Sequence, residues 1–374
     1  MPFASIPEAI EEFRAGRMLV VVDDEDRENE GDLTVAAEHI TPEIINFMAK
    51  YGRGLICLAL SPDRCEALDL HLISPANTSR FGTAFCESID AREGVSTGIS
   101  AADRALTIRI AMDPATKPTD LARPGHMFPL RAREGGVLVR AGQTEAAVDL
   151  ARLAGLGPGG VICEIMNEDG SMARVPELIG FCAHHGIKLI SVAQLIRYRL
   201  QTERFTERVA EGPVHTDLGT FQAVHYSSPI TGERHVALIN GNVAGKENVL
   251  VRMHTHCTLG HIFGSVDCDC EKTLRASMAR IAQDGGVIVY LHQTGIGLPH
   301  GYDAIKQLDR KGADSSAQHE IGIGAQILAD LGLTTIRLLT NRPRRAVGLE
   351  GFGIQITGTT PVFVTDPVFV KEEV

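Results

Sequence analysis

Met18-Leu-Val-Val-Val22, followed by Asp23-Asp24-Glu25-Asp26-Arg27-Glu28-Asn29-Glu30-Gly31-Asp32, is the stretch on which the reading of this chain turns. The apolar run is continuous, the pattern of a strand buried on both faces. Seven carboxylates against one Arg then stand at its carboxyl end, where open α/β sheets place ligands. Like charges at that density reach the edge of a core only when cations meet them or water surrounds them. A solvated acidic turn is one reading. The other is a cation site. Glu28, Glu30 and Asp32 alternate, so an extended backbone would point all three to one face, and Gly31 permits close approach to a ligand. Oxygen ligands on one face suit a hard divalent cation such as Mg²⁺.

At 374 residues the chain exceeds one ordinary core, so two domains are expected. Its composition is that of a globular protein, and no apolar run has the length of a membrane span. The amino terminus lacks the basic and apolar blocks of a signal peptide, which predicts a cytoplasmic protein without a membrane partner. A net charge of −11 argues against a general nucleic-acid binder and leaves room for a phosphorylated small substrate in a local basic pocket. Five of the eight Cys lie scattered in apolar surroundings, as small core residues of a reducing compartment do.

Along the first half, Ile6 to Arg14 reads as a helix stopped by Gly16, and Thr41-Pro42 as the cap and first residue of a second. Gly54 to Leu60 reads as a strand, and Gly82 to Gly98 as a loop over a site or a plain connection. In Arg123-Pro124-Gly125-His126-Met127-Phe128-Pro129-Leu130, two prolines and a glycine fix a rigid turn around one His, which is structural or a general acid or base. Arg140-Ala141-Gly142-Gln143-Thr144 precedes a helix that Thr144 can cap and Gly155 can end. That is either a phosphate seat or an ordinary capped helix beside a solvated Arg. In Val161-Ile-Cys-Glu164-Ile-Met166 one carboxylate interrupts an apolar strand, so Glu164 is a candidate for a raised pKa and proton transfer.

DDEDRENEGD, RPGHMFPL, the RxGxTEA loop and ICEI, in this order, resemble 3,4-dihydroxy-2-butanone 4-phosphate synthase of the riboflavin pathway, over about residues 5–200. The resemblance implies conversion of D-ribulose 5-phosphate to formate and L-3,4-dihydroxy-2-butanone 4-phosphate, with Mg²⁺ or Mn²⁺ in sites at a homodimer interface. It also implies that Arg27, Glu28 and Asp32 contact substrate and that Glu28 binds metal. Arg140, Ala141, Gly142, Gln143 and Thr144 would hold the phosphate end, with Glu164 also at the substrate. His126 and Glu164 would be the catalytic residues. The family's GHTEA reads here with Gln143 for the second metal-binding His, and a Gln side-chain oxygen can ligate Mg²⁺.

Arg199 to Glu211 is charged and reads as a helical linker, which divides the chain into residues 1–205 and 206–374. Beyond it, Cys257, Cys268 and Cys270 have the ligand count of an open zinc site, with His254, His256 and His261 nearby as alternatives for a fourth ligand. Reduced structural thiols are the other reading. These residues, with Gly322 to Leu328 and Leu338 to Pro343, resemble GTP cyclohydrolase II over roughly 213–365. The family's QEGRGIGL is Gln293-Thr-Gly-Ile-Gly-Leu298 here, and its catalytic D-x-R aligns with Ala317-Gln-His319. Ala317 moves no proton and His319 lacks a guanidinium's fixed charge. Thr340 and Arg345 match nucleotide-contact positions. The resemblance thus implies a zinc-binding but catalytically dead domain. A working bifunctional enzyme and a non-catalytic regulator binding a sugar phosphate or nucleotide are the alternatives. The fold expected is α/β (α+β), a layered mixed-sheet synthase domain followed by a second α/β domain.

Overall fold

The computed structural model describes residues 3–24, 27–74, 76–79, 81–229, 232–292, 313–341 and 354–363, without the side chains of 313–321. The chain divides into two compact units, Met1–Tyr198 and Arg199–Val374. In the first unit the strands are β1 (Leu19–Val22), β2 (Gly31–Ala36), β3 (Cys57–Leu60), β4 (Ile89–Ala91), β5 (Leu121–Arg131), β6 (Gly159–Glu164) and β7 (Lys188–Ser191). They form one mixed sheet in the order β4-β5-β3-β6-β2-β1-β7. Its helices are α1 (Ile6–Arg14), α2 (Pro42–Phe47), α3 (Pro62–Ala67), α4 (Ala101–Met112), α5 (Gln143–Leu153) and α6 (Val175–His185), and α7 (Val192–Thr202) spans the boundary.

The sheet is buried on both faces, which is why β1 is apolar without alternation. One face carries Val20, Val22, Leu33, Leu58 and Val161 against residues of α2, α4 and α6. The other carries Cys57, Ala59 and Ile162 against Ala147 and Val148 of α5. A Cβ on Gly160 would fall 2.8 Å from that of Ala147, so the glycine sets how closely α5 seats on the sheet.

Four local expectations change. Residues 28–30 are not extended: the Arg27 and Asn29 N–H groups both donate to the Asp24 carbonyl, and Asn29 turns back at φ +53°. The acids are gathered by a turn, and the strand begins only at Gly31. Arg123 to Leu130 lies within strand β5 rather than in a turn. Its pairing with β4 jumps from Ala122 to Met127, so residues 123–126 bulge out where Pro124 need donate nothing. Thr144 does not cap α5, because Gly142 holds the N-cap position without a side-chain bond. The charged linker is helix only to Thr202, and from Glu207 it is β8, paired along its length with β9.

The second unit carries β8 (Glu207–Thr216), β9 (Gly219–Ser227), β10 (Arg234–Asn240), β11 (Val249–Thr255), β12 (Gly286–Leu291), β13 (Thr335–Leu339) and β14 (Gln355–Thr360). Their order is β14-β13-β11-β12-β10-β9-β8, parallel from β14 to β12 and antiparallel beyond. Among the described residues its helices are the short α8 (Thr258–His261), α9 (Cys270–Asp284) and α10 (Ala313–Asp330). Ile281 of α9 packs on one face of the sheet, and Ile323, Ile327 and Leu328 of α10 on the other. Both halves are therefore layered mixed α/β units.

Candidate active site

The acidic loop is folded around its own first member. Asp23 Oδ1 accepts the Glu30 N–H at 2.9 Å, and Oδ2 accepts Arg27 Nη1 at 2.6 Å and the Glu28 N–H at 3.2 Å. Arg27 also pairs with Glu28 at 2.9 Å and lies over the Phe81 ring. Asp23 is thus a structural acid, and the loop presents Glu28 and Glu30.

Register then brings two more carboxylates together. Asp32 on β2 stands directly opposite Glu164 on β6. Asp32 is 3% exposed, and Glu164 is half-buried, with Oε2 accepting the Leu55 N–H at 2.8 Å. A Cβ on Gly54 would fall 2.5 Å from that same Oε2, so glycine makes room for the carboxylate. Burial pushes Glu164's pKa up, outweighing the Leu55 N–H, and Glu28 adds to the rise. Burial, then the charges of Glu164, Glu28, Asp23 and Glu30, hold Asp32 well above the carboxylate range. Glu30 is raised by burial and Glu28, with the Arg174 guanidinium opposing. Each shift is toward the protonated form, and a cation among these acids would oppose it.

Gln143 faces this cluster from the first turn of α5. It is 5% exposed, and its Nε2 donates to the carbonyls of Val21 at 2.9 Å and Glu30 at 3.3 Å. The amide nitrogen is fixed by those acceptors, so Oε1 points the other way, buried and without a donor among the described residues. A buried, unsatisfied amide oxygen beside clustered carboxylates fits a hard cation.

His126 sits in the β5 bulge. Its Nδ1 lies 2.7 Å from Asp90 Oδ2, and its backbone N–H donates to Asp90 Oδ1 at 2.9 Å. An ionised Asp90 can only accept, so in the neutral ring it selects the tautomer with the proton on Nδ1 and the lone pair on Nε2. Gly98, at φ +92°, closes over the pair, where a Cβ would fall 2.1 Å from Asp90 Oδ2. Asp103 holds that glycine's N–H at 3.1 Å. Phe128 on β5 pairs with Cys57, and Cys57 with Ile162. His126, two residues before Phe128, therefore lies toward the same end of the sheet as Glu164, two residues after Ile162.

In the second unit the sulfurs of Cys257, Cys268 and Cys270 lie within 4.8 Å of one another, and no histidine joins that group among the described residues. Gly260 permits the closure, since a Cβ there would fall 2.7 Å from Cys268 Sγ. The histidines form their own network: His254 Nε2 meets His261 Nε2 at 2.9 Å, and Tyr290 Oη lies 2.7 Å from His256 Nδ1 and 2.9 Å from His261 Nδ1. Burial, then the Arg252 charge, lowers the pKa of His254 to about 3. Three converging thiols fit a thiophilic cation such as Zn²⁺.

Residues 7–198 match the family model of 3,4-dihydroxy-2-butanone 4-phosphate synthase, and residues 207–361 that of GTP cyclohydrolase II. Riboflavin biosynthesis protein RibBA of Aquifex aeolicus is 52% identical, over 96% of this chain and 92% of its own. The protein of that name from Bacillus subtilis is 49% identical, over 96% and 94%. The chain belongs to the 3,4-dihydroxy-2-butanone 4-phosphate synthase family. It is an enzyme of riboflavin biosynthesis with a synthase half and a GTP cyclohydrolase II-like half. The crystal structure of RibBX, a two domain 3,4-dihydroxy-2-butanone 4-phosphate synthase from A. baumannii, superposes with TM-score 0.79 at 40% identity, covering 96% of this chain and 99% of that one. A synthase in complex with two magnesium ions superposes with TM-score 0.52 at 42% identity, covering 54% and 98%.

In the synthase half, the structure gathers Glu28, Asp32, Gln143 and Glu164, with Arg27 on the loop. Arg140 is not the solvated cation of the simpler reading. It pairs with buried Glu145 at 2.6 Å and donates to the Phe81 carbonyl at 3.2 Å and to Thr83 Oγ1 at 3.1 Å. Gly142 makes this possible, since a Cβ there would fall 2.3 Å from Arg140 Nη1. Ala141 is half-buried, and Thr144 is buried in the first turn of α5. Sequence reasoning missed Asp90, the fixed partner of His126, and Arg174, which bonds the acidic loop. The signal for Asp90 was present: Ile89-Asp90-Ala91 is a lone carboxylate in an apolar strand, as at Glu164. In the cyclohydrolase-like half, Gln293 to Leu298 and Arg345 lie outside the described residues. Ala317 and His319 are on α10, and Thr340 donates its N–H to Thr360 at 2.8 Å.

Proposed function

We propose that the synthase half converts D-ribulose 5-phosphate to formate and L-3,4-dihydroxy-2-butanone 4-phosphate, and that the second half holds Zn²⁺ on Cys257, Cys268 and Cys270 without hydrolysing GTP. The observation that carries the first part is buried Asp32 opposite half-buried Glu164, together with the unsatisfied Oε1 of buried Gln143. Glu28 and Gln143 would hold Mg²⁺ or Mn²⁺, which when bound supplies positive charge against the sugar's developing oxyanions. Arg27 and Asp32 would orient the sugar, and Arg140 to Thr144 would receive its phosphate. Arg140 would then exchange its bonds to Phe81 and Thr83 for phosphate oxygens. His126, with Nδ1 held by Asp90, offers Nε2 to take a proton beside the carbonyl, and Glu164, whose pKa burial raises, is placed to return one. The enzyme is proposed to act as a cytoplasmic homodimer on a small sugar phosphate, with no membrane or nucleic-acid partner. No helix among the described residues is long and apolar enough to cross a membrane.

Asp90→Asn tests the orientation of His126. The new amide N–H can face Nδ1 and drive the ring proton to Nε2, and formate release is expected to fall at least about 10²-fold. Metal binding should be unchanged, and ¹⁵N chemical shifts of the His126 ring should report the inverted tautomer. Unaltered turnover would exclude this role for Asp90.

Ala317 and His319 support the inactive second half, where a proton-transfer residue and a fixed guanidinium are wanting. A second reading, the bifunctional enzyme, is favoured by the Arabidopsis thaliana relative described as a bifunctional riboflavin biosynthesis protein, 46% identical over 96% of this chain and 69% of its own. Paired assays separate them. The full chain should release formate from ribulose 5-phosphate with Mg²⁺ or Mn²⁺, and neither formate nor pyrophosphate from GTP with zinc supplied. GTP-dependent release of both products would establish the bifunctional reading.

A further inference from the structure

Arg174 lies outside every role assigned so far, yet it is tied to the site from two sides. Its Nη1 donates to the Glu28 carbonyl at 2.9 Å and also to the Asn29 carbonyl. Those are the two peptides of the turn that presents Glu28, and Asn29 closes that turn in left-handed backbone, φ +53°, which Asn tolerates better than most residues. On the other side, Arg174 follows Glu164 through a tight return. Met166 bridges Met172, the Asn167 N–H donates to Ser171 O at 2.8 Å, and the Ala173 N–H donates to Ile165 O at 3.0 Å. One short segment therefore delivers the Glu164 carboxylate and the guanidinium that grips the acidic turn.

The charge balance points the same way. Asp23, Glu28, Glu30, Asp32 and Glu164 act on one another electrostatically, and Arg27 is already bound to two of them. Arg174 approaches through backbone carbonyls, so it holds the turn without occupying carboxylate oxygens that a cation needs. Its place at the start of α6 does not depend on its side chain, because the backbone N–H makes the capping bond to Glu177 Oε2 at 3.0 Å. A helix-capping role would survive truncation of the side chain, whereas a loop-positioning role would not.

We propose that Arg174 is a positioning residue that fixes the Glu28-Asn29 turn in register with Glu164, so that the acidic loop binds a divalent cation. The inference rests on the reading of this cluster as the cation site. It makes no use of contact between Arg174 and substrate.

The test is a titration of the full-length protein with Mn²⁺, followed by the electron paramagnetic resonance of free Mn²⁺. Oxygen ligands take this ion in preference to thiolates, so the three-cysteine cluster does not compete. Arg174→Met keeps the aliphatic stem and removes the donors and the charge. Its Mn²⁺ dissociation constant is expected to rise about 10- to 100-fold, the range for residues that support a metal ligand. At saturating Mn²⁺, kcat should return to within about threefold of wild type, because no group that moves protons has been lost. Arg174→Lys, which keeps charge and N–H donors, should restore affinity most of the way. Should the Met variant not fold, Arg174→Gln is read by the same titration. Unchanged Mn²⁺ affinity in a folded Met or Gln variant overturns the inference, as does a fall in kcat that saturating Mn²⁺ does not repair. A wild-type chain that itself binds no Mn²⁺ overturns the reading of the site, a result distinct from a variant that binds as tightly as wild type.

Discussion

Glu164→Gln is expected to lower formate release from ribulose 5-phosphate by about 10²- to 10⁴-fold, the usual loss when a proton-transfer group is removed, and at the same time to stabilise the metal-free protein. The two effects have one cause. Burial raises the pKa of Glu164, and burial together with four neighbouring carboxylates raises that of Asp32 well above its ordinary value. In the folded, metal-free chain these groups keep protons that the unfolded chain has released. Their contribution to stability is therefore fully present below about pH 4, where both states are protonated. It is lost as pH rises through the raised folded-state values. The Glu164→Gln substitution would remove one of these groups and the largest charge acting on Asp32, while the new amide oxygen can still accept the Leu55 N–H. Thermal melts of metal-free protein are compared at about pH 4 and at a higher pH within that loss. Wild type should lose stability between them, and the variant should lose less. Mg²⁺ should stabilise wild type more at the higher pH, because it binds the ionised carboxylates. A variant that melts below wild type at the higher pH would show that Glu164 is not a strained acid, and near-normal formate release would remove it from the proton path.

Much of this site is legible in the sequence because its signals are local. The apolar run Leu19 to Val22 is buried on both faces, and a carboxylate inside a buried strand, as at Glu164, is conspicuous in any chain. The acidic loop shows where legibility ends. Alternation of Glu28, Glu30 and Asp32 implied that these acids converge, but they do so by a turn at Asn29 and not by strand geometry. Register was beyond reach. That Asp32 faces Glu164, that His126 finds Asp90, and that Arg174 reaches back to Glu28 all follow from pairing between segments far apart in sequence. The proline-rich His126 segment misled for a related reason. Its prolines read as a turn, whereas β5 tolerates them by bulging at residues 123–126 and by using Pro129 only as an acceptor, for the Cys86 N–H at 2.9 Å.

Gln143 is the residue where sequence resemblance and structure bear on each other most directly, and its replacement by Leu is expected to abolish useful cation binding. Its amide does two things at once. Nε2 closes β1 onto the acidic loop through the Val21 and Glu30 carbonyls, and Oε1 is left buried and unsatisfied. Leu supplies neither donor nor acceptor, so the Val21 and Glu30 carbonyls each lose one partner, Glu30 keeping the Asp23 N–H at 3.2 Å, at a cost of about 0.5–1.5 kcal/mol per hydrogen bond lost. A lost ligand should weaken Mn²⁺ binding by at least about 100-fold, beyond what second-layer residues contribute. The two consequences are measured separately, by chemical denaturation of metal-free protein and by Mn²⁺ titration of the folded variant. Gln143→His discriminates further. One ring nitrogen can donate to a loop carbonyl while the other ligates, so binding should return, with preference shifted from Mg²⁺ toward Mn²⁺ because imidazole is the softer ligand. If the Leu variant folds and binds Mn²⁺ as tightly as wild type, the unsatisfied oxygen is not a ligand, and Glu28 and Asp32 must hold the ion without it.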